Sequence, residues 1–322
     1  PLLAEFLRLI QRGARHFKFV DRTFNVRIEA ARRILEFFLE HYRPGMFLHF
    51  EVVPDRLPTT LRGLISRFPV GALQFEMGIQ TFNPRVGTRI RRRQNEKATV
   101  ENLRFLRNDT GAYIHADLIA GLPGENLKSF AAGFDRLVKL CPQEIQVGIL
   151  KRLKGTTIGR HDRKWGMVYR KEAPFDLLEN SLLDSATMER LRHFARFWDL
   201  VSNSGRFIET APRIWDGARS PFRAFLKFSD WLYSGLGRSH SIPQRLLAER
   251  LFRYLTDALK QPADEVTACL ASDFGRSGSR DVPGFLKAHV PARPPAPEGA
   301  HAAAQARQRR HAGAATRRSD PA

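Results

Sequence analysis

Over its first 153 residues the chain alternates between short apolar runs and longer stretches of helical spacing, and few architectures accommodate that rhythm. The runs HFKFV (16–20), MFLHFEVV (46–53), GALQFEMGIQ (71–80), GAYIHADLIAG (111–121) and EIQVGILKRL (144–153) are short, rich in β-branched and aromatic residues, and predict strands. Between them lie segments of helical period. In 26–42, Ile28, Ile34, Leu35, Phe38 and Leu39 share one face, and helices are also predicted over 1–12, 57–68, 96–107 and 125–140. Strands separated by helices of this length predict a parallel sheet with helical crossovers. In barrels built this way the ligand site lies at the C-terminal ends of the strands.

From about residue 154 the alternation stops. Residues 185–204, 221–235 and 243–260 predict helices, so an α/β domain over 1–153 is expected to be followed by a mainly helical domain over 154–290. Residues 291–322 are largely Ala, Pro and Arg, too poor in apolar surface to form a core, and are expected to be a disordered tail. A length of 322 residues allows one large or two medium domains.

The formal charge of +20 and pI of about 10.9 make a nucleic-acid partner possible. It is not favoured, because the arginines are spread along the chain and RIRRR (89–93) is the one dense basic block. No apolar run approaches the roughly 20 residues of a membrane span, and Glu5 and Arg8 interrupt what would otherwise be a signal-like start. No membrane partner is expected. The two cysteines, Cys141 and Cys269, exclude a disulfide framework and any CxxC metal spacing, and they point to a reducing cytoplasm.

Several common motifs fail. No phosphate-binding loop ends in Gly-Lys-Ser/Thr, GLGRSH (235–240) lacks the last glycine of a dinucleotide fingerprint, and GRSGS (275–279) lacks that of a nucleophile elbow. What remains is a set of polar residues in or just after strands: Asp21, Glu51, Gln80 and Asp117. Asp117 is set in the apolar run IHADLIAGLPGE, where an acid must be paired, hydrogen-bonded or in contact with a ligand. Gly121 and Gly124 would let the backbone turn beside that ligand. Plainer readings stand alongside. Glu51 suits a rim ion pair, Gln80 a satisfied interior amide, and Arg92 a solvated basic face with Arg89, Arg91 and Arg93. His115 suits a packed histidine and Cys141 a structural thiol.

Together, HFEVVP (49–54), FEMGIQTFNP (75–84), the arginine run to Arg92 and DLIAGLPGE (117–125) resemble the radical S-adenosylmethionine superfamily. The nearest branch holds the oxygen-independent coproporphyrinogen oxidases and the cobalamin-binding-domain members. FKFVDRTFN (17–25) is similar to the second barrel strand of that branch, and EIQVGILKRLKGT (144–156) to its sixth. WGMVYRKEAPFDLL (165–178) and NSGRF (203–207) resemble an uncharacterised C-terminal domain that follows such cores. The resemblance covers about residues 1–290. It implies a partial (β/α) radical SAM barrel and S-adenosylmethionine (SAM) as ligand. Glu51 and Asp117 would accept from the ribose diol and amine, Gln80 would donate and accept, and Arg92 would hold the carboxylate. Apolar backbone from Ile119 through Gly121 to Leu122 would lie against adenine. It further implies a 4Fe-4S cluster, an electron donor such as flavodoxin or ferredoxin, an unidentified substrate, and possibly cobalamin through an upstream domain.

The chain departs from the family in one respect. The CxxxCxxC loop, whose three thiolates hold the cluster on which reductive SAM cleavage depends, is absent. The resemblance therefore reads the chain as an amino-terminally truncated member, lacking the first strand and cluster loop and inactive alone. Two alternatives stand beside it: a non-enzymatic basic nucleic-acid-binding protein, and an inactive fragment. The orientation of Arg92 separates them. Turned toward Gln80 and Asp117, it favours a SAM site; aligned with its neighbours in a solvated stripe, it favours nucleic acid.

Overall fold

A computed structural model describes residues 1–21, 23–279, 281–290 and 306–312. They divide into two compact units, Pro1–Leu122 with Arg136–Gly148, and Pro123–Asp135 with Ile149 onward. The division differs from a single cut after residue 153, because residues 123–135 group with the second unit.

In chain order the first half runs α1 (Leu2–Gln11), β1 (His16–Lys18), α2 (Ile28–Glu40), β2 (Phe47–Val52), α3 (Thr59–Ile65), β3 (Leu73–Gln80), α4 (Pro84–Arg89), α5 (Glu96–Asn108), β4 (Tyr113–Ala120), α6 (Leu127–Lys139) and β5 (Glu144–Ile149). The strands form one five-stranded parallel sheet in the order β1-β2-β3-β4-β5. Sequential order with a helix after each strand is what the alternation predicts. Register places Glu51 beside Glu76, Glu76 beside His115, and Gly78 beside Asp117.

The sheet has two chemically different faces, as the strand period of two requires. Leu48, Phe50 and Val52 of β2, Phe75 and Met77 of β3, and Ile114, Ala116 and Leu118 of β4 are buried. Phe50 anchors this apolar face, its ring 4.5 Å from Phe19, 4.2 Å from Phe24 and 6.0 Å from Phe75. Ala31, Leu35 and Phe38 of α2 are fully buried. The opposite face carries His49, Glu51, Glu76, Gln80, His115 and Asp117, all half-buried.

Strand β5 ends at Ile149, four residues short of the predicted run, since Lys151 pairs instead with Asp176 in an antiparallel bridge. The second unit continues with a 3-10 turn (Thr157–His161), α7 (Asp162–Trp165), a hairpin of β6 (Val168–Tyr169) and β7 (Leu177–Glu179), α8 (Ser185–Trp198), α9 (Pro221–Leu236), α10 (Gln244–Arg253) and α11 (Ala263–Ser277). The predicted helices over 185–204 and 243–260 each change character near their ends, widening into π-helix at Asp199–Asn203 and Tyr254–Ala258. The core here is aromatic: Phe134, Phe194, Trp198, Phe222, Phe225 and Phe228 pack mostly edge to face.

Most of the expected disordered tail, 291–305 and 313–322, lies outside the described residues. Ala306–Ala312 departs from that expectation and forms a short helix, α12. Its anchors are polar: Arg307 pairs with Asp199 at 2.6 Å, Arg310 donates to the Ser204 carbonyl at 2.7 Å, and buried His311 bonds the Asn203 carbonyl at 2.9 Å. An expectation drawn from apolar content alone overlooks anchors of this kind. No helix among the described residues is long and apolar enough to cross a membrane.

Candidate functional site

The site assembles around a residue without a side chain. Gly78 lies in β3 at the register position beside Asp117. A Cβ placed on it would stand 2.9 Å from Arg92 Nη2 and 3.0 Å from Gln80 Nε2. Two donors thus close over the bare backbone of Gly78 from different elements.

Local backbone geometry brings each of them there. β3 slips register between Gly78 and Gln80, and Gln80 takes a left-handed φ of 67°, uncommon for a residue with a Cβ. Asn83 caps α4, its side chain accepting from the amides of Arg85 and Val86, with Pro84 at the first helical position. The helix ends in a Schellman arrangement: Arg91 N–H donates to Thr88 O at 3.1 Å and Arg92 N–H to Gly87 O at 2.8 Å. Arg91 fills the left-handed position with φ 59°, where glycine is usual. That turn sends Arg92 back over Gly78 instead of onward along the helix.

Arg92 keeps solvent-exposed surface, yet its guanidinium is crowded enough that desolvation holds its pKa below the ordinary value. The carboxylates of Asp117, Glu51 and Asp55 oppose that shift. Three acids from three segments therefore act on one guanidinium. Asp117 itself is poised. His115 Nε2 stands 3.2 Å from Asp117 Oδ1 and 3.0 Å from Gln146 Oε1, shared between the two acceptors. Asp117 Oδ1 is buried, and the His115 imidazole is its charged neighbour. Burial alone would lower the His115 pKa; the Asp117 carboxylate, with Glu144 and Glu76 behind it, outweighs burial and raises it.

Toward the other end of the same face a second polar group forms. His49 Nε2 lies 3.1 Å from Glu76 Oε2, and Tyr113 donates its hydroxyl to Glu144. The His49 contact, together with His115 and Lys18, holds the Glu76 carboxyl below its usual range against the opposing effect of burial.

Of the residues expected at the site, Gln80, Arg92 and Asp117 meet around Gly78. Glu51 lies on the same sheet face and acts on Arg92 electrostatically. Ile119 shares the Asp117 face, and its Cγ1 lies 3.8 Å from where a Cβ of Gly148 would stand. Gly121 follows β4 with φ 91°, the turn that glycine permits. Asp21 behaves differently: its Oδ1 accepts from the Thr23 amide and hydroxyl, both at 2.9 Å, in a local turn. Sequence reasoning missed Gly78, whose signal was an isolated glycine inside a strand. It also missed Gln94, which donates to the Gly78 carbonyl at 3.1 Å, and Asp55, which accepts from the Asn95 amide at 2.7 Å.

The donors and acceptors suit SAM. Around Gly78 stand a guanidinium for a carboxylate, a carboxylate that accepts from a hydroxyl or ammonium group, and an amide that does both. A 4Fe-4S cluster is not suited. The chain has only two cysteines, Cys141 in the first unit and Cys269 in the second. No group of three His, Cys, Asp or Glu among the described residues could hold a metal.

Residues 163–310 match the family described as "Protein of unknown function (DUF4080)". No curated protein matches the chain. Among solved structures, it is similar to the radical S-adenosylmethionine methyltransferase TsrM from Kitasatospora setae, bound to cobalamin and a 4Fe-4S cluster. That likeness is 16% in identity with a TM-score of 0.46, over 54% of this chain and 37% of the other. It is also similar to coproporphyrinogen III oxidase (HemN) from Escherichia coli, a radical SAM enzyme, at 19% identity and TM-score 0.41, over 62% of this chain and 46% of the other. Elp3 from Methanocaldococcus infernus follows at 17% and 0.37, over 50% and 44%. The chain spans less than half the length of each of these structures.

Proposed function

We propose that the first unit is the SAM-binding part of a radical SAM enzyme acting in the cytoplasm. The observation that carries this reading is the meeting of Arg92 and Gln80 over Gly78, beside the Asp117 carboxylate. Arg92 keeps exposed surface, but its guanidinium lies over Gly78 beside Gln80, an arrangement that favours a SAM site over a solvated nucleic-acid stripe.

In this reading Asp117 accepts from the ribose hydroxyls and Arg92 binds the methionyl carboxylate. Gln80 bridges them, and the backbone from Ile119 to Gly121 lies along the adenine. Glu51 accepts from the ammonium group. His115, held between Gln146 and Asp117, keeps the Asp117 carboxylate oriented. SAM supplies the adenosyl group from which the family generates its radical. The chain holds no ligands for the cluster that would drive that step, so no step is assigned to its residues. Cobalamin, an electron donor and a substrate enter only through the sequence resemblance.

The test is titration of SAM into the full 322-residue chain by calorimetry. Asp117→Asn keeps the shape and replaces one acceptor oxygen with a donor. Loss of a hydrogen bond to a charged group, about 1.5–3 kcal/mol, should weaken binding roughly tenfold to a hundredfold. Equal affinity of the two proteins, or no binding by either, would reject the reading.

A further inference from the structure

The second unit holds a cavity of about 640 Å³ walled by residues 152–156 and by the β6–β7 hairpin with its flanks. That volume suits a ligand of nucleotide size. Its lining has one sign of charge: Arg152, Lys154, Arg170 and Lys171 contribute cations, and no carboxylate lines it. Met167 and Phe175 add apolar surface.

Arg152 is held in place. Its Nη2 lies 3.0 Å from Asp162 Oδ2, and its guanidinium stands 5.9 Å from the centre of the Tyr169 ring. Gly159 makes room, since a Cβ there would come within 3.2 Å of that same nitrogen. Asp162 meets this cluster through Oδ2, while its Oδ1 is buried without a hydrogen-bond partner. Lys154, Arg170 and Lys171 form no ion pair among the described residues. The Tyr169 hydroxyl is buried without a hydrogen-bond partner. Burial, with Asp162 adding to it, pushes its pKa up to about 12, so it remains a donor.

Cations gathered in a concavity focus positive potential into it. We infer that this cavity binds a phosphate-bearing small molecule, with Arg152, Arg170 and Lys171 on the phosphate and the body of the ligand against Met167 and Phe175. The inference concerns the second unit alone and does not depend on the SAM reading. Nothing in the sequence resemblance assigns a ligand to this segment.

The test is calorimetric titration of inorganic pyrophosphate into the full chain at about 0.15 M salt, where diffuse surface attraction is screened. Saturable one-to-one binding is expected, with a dissociation constant of about 1 mM or tighter. Arg170→Gln and Lys171→Gln should each weaken it about threefold to tenfold. Lys227→Gln, which removes an exposed cation of α9, should leave it unchanged. Tyr169→Phe keeps the net charge and should also weaken binding. If that variant misfolds by circular dichroism, the two exposed-cation variants carry the test. An equal effect of Lys227→Gln, absence of saturable binding, or binding of single-stranded RNA with which pyrophosphate fails to compete would overturn the inference.

Discussion

Gln80 shows how a single residue is shaped by its neighbours. Its left-handed backbone costs a residue with a Cβ about 1–2 kcal/mol. Such strain is retained when it places a side chain, and here it brings the carboxamide over Gly78 beside Arg92. Gln80→Gly should therefore separate stability from binding. Denaturant unfolding should show a gain of about 0.5–1 kcal/mol, the relieved strain less the larger unfolded-state entropy of glycine. SAM titration should show a weaker complex. A stabilised variant with unchanged affinity would mean that the amide touches no ligand.

At the scale of elements, two helix ends carry much of the positioning. The end of α4 uses Arg91 in the left-handed position, and the turn it makes delivers Arg92 to the site. Arg91→Gly should keep the turn and raise unfolding free energy by about 0.5–1 kcal/mol. Gly87→Ala should do the opposite, because its Cβ would stand 2.9 Å from the Arg92 backbone carbonyl, which has no rotamer by which to escape. The start of α9 depends on Asp135, which accepts from the Ser220 hydroxyl and the Phe222 amide, both at 2.6 Å. Asp135→Ala leaves both donors unmatched and should cost about 1–3 kcal/mol, measured by urea unfolding. Asp135→Asn, which keeps an acceptor oxygen, should recover part of that loss.

For the whole molecule, the polar sheet face ties stability to pH. The folded pKa of His115 lies above its ordinary 6.5, sustained by Asp117, Glu144 and Glu76. The stabilisation it brings is fully present below 6.5 and is lost as pH rises through the folded value. Other groups titrate as well. Burial pushes Asp273 up to about 6 and His311 down to about 4, so the informative quantity is the difference between wild type and His115→Gln. That difference in melting temperature should be largest at mildly acid pH and should shrink toward alkaline pH. A difference that grows with pH would show that Asp117 does not sustain the imidazolium.

Periodicity makes the sheet legible in the sequence. Side chains alternate across a strand and repeat every 3.6 residues along a helix, so a local pattern identifies both the element and its buried face. The apolar run itself marked Asp117, an acid set among Ile114, Leu118 and Ile119, and the strand pattern placed Glu51 and Gln80 near strand ends. The meeting of Gln80, Arg92 and Asp117 around Gly78 was not legible. It depends on strand register, on a slip after Gly78, and on left-handed turns at Gln80 and Arg91, two residues that rarely adopt that conformation alone. Surrounding contacts select such conformations, and those contacts join residues distant in the chain. The β6–β7 hairpin and helix α12 were hidden for a related reason: the strands have two and three residues, and the helix is held by Asp199, Asn203 and Ser204 about a hundred residues upstream. Local sequence encodes what a segment can form; which segments meet, and what chemistry they assemble, was decided by the tertiary structure.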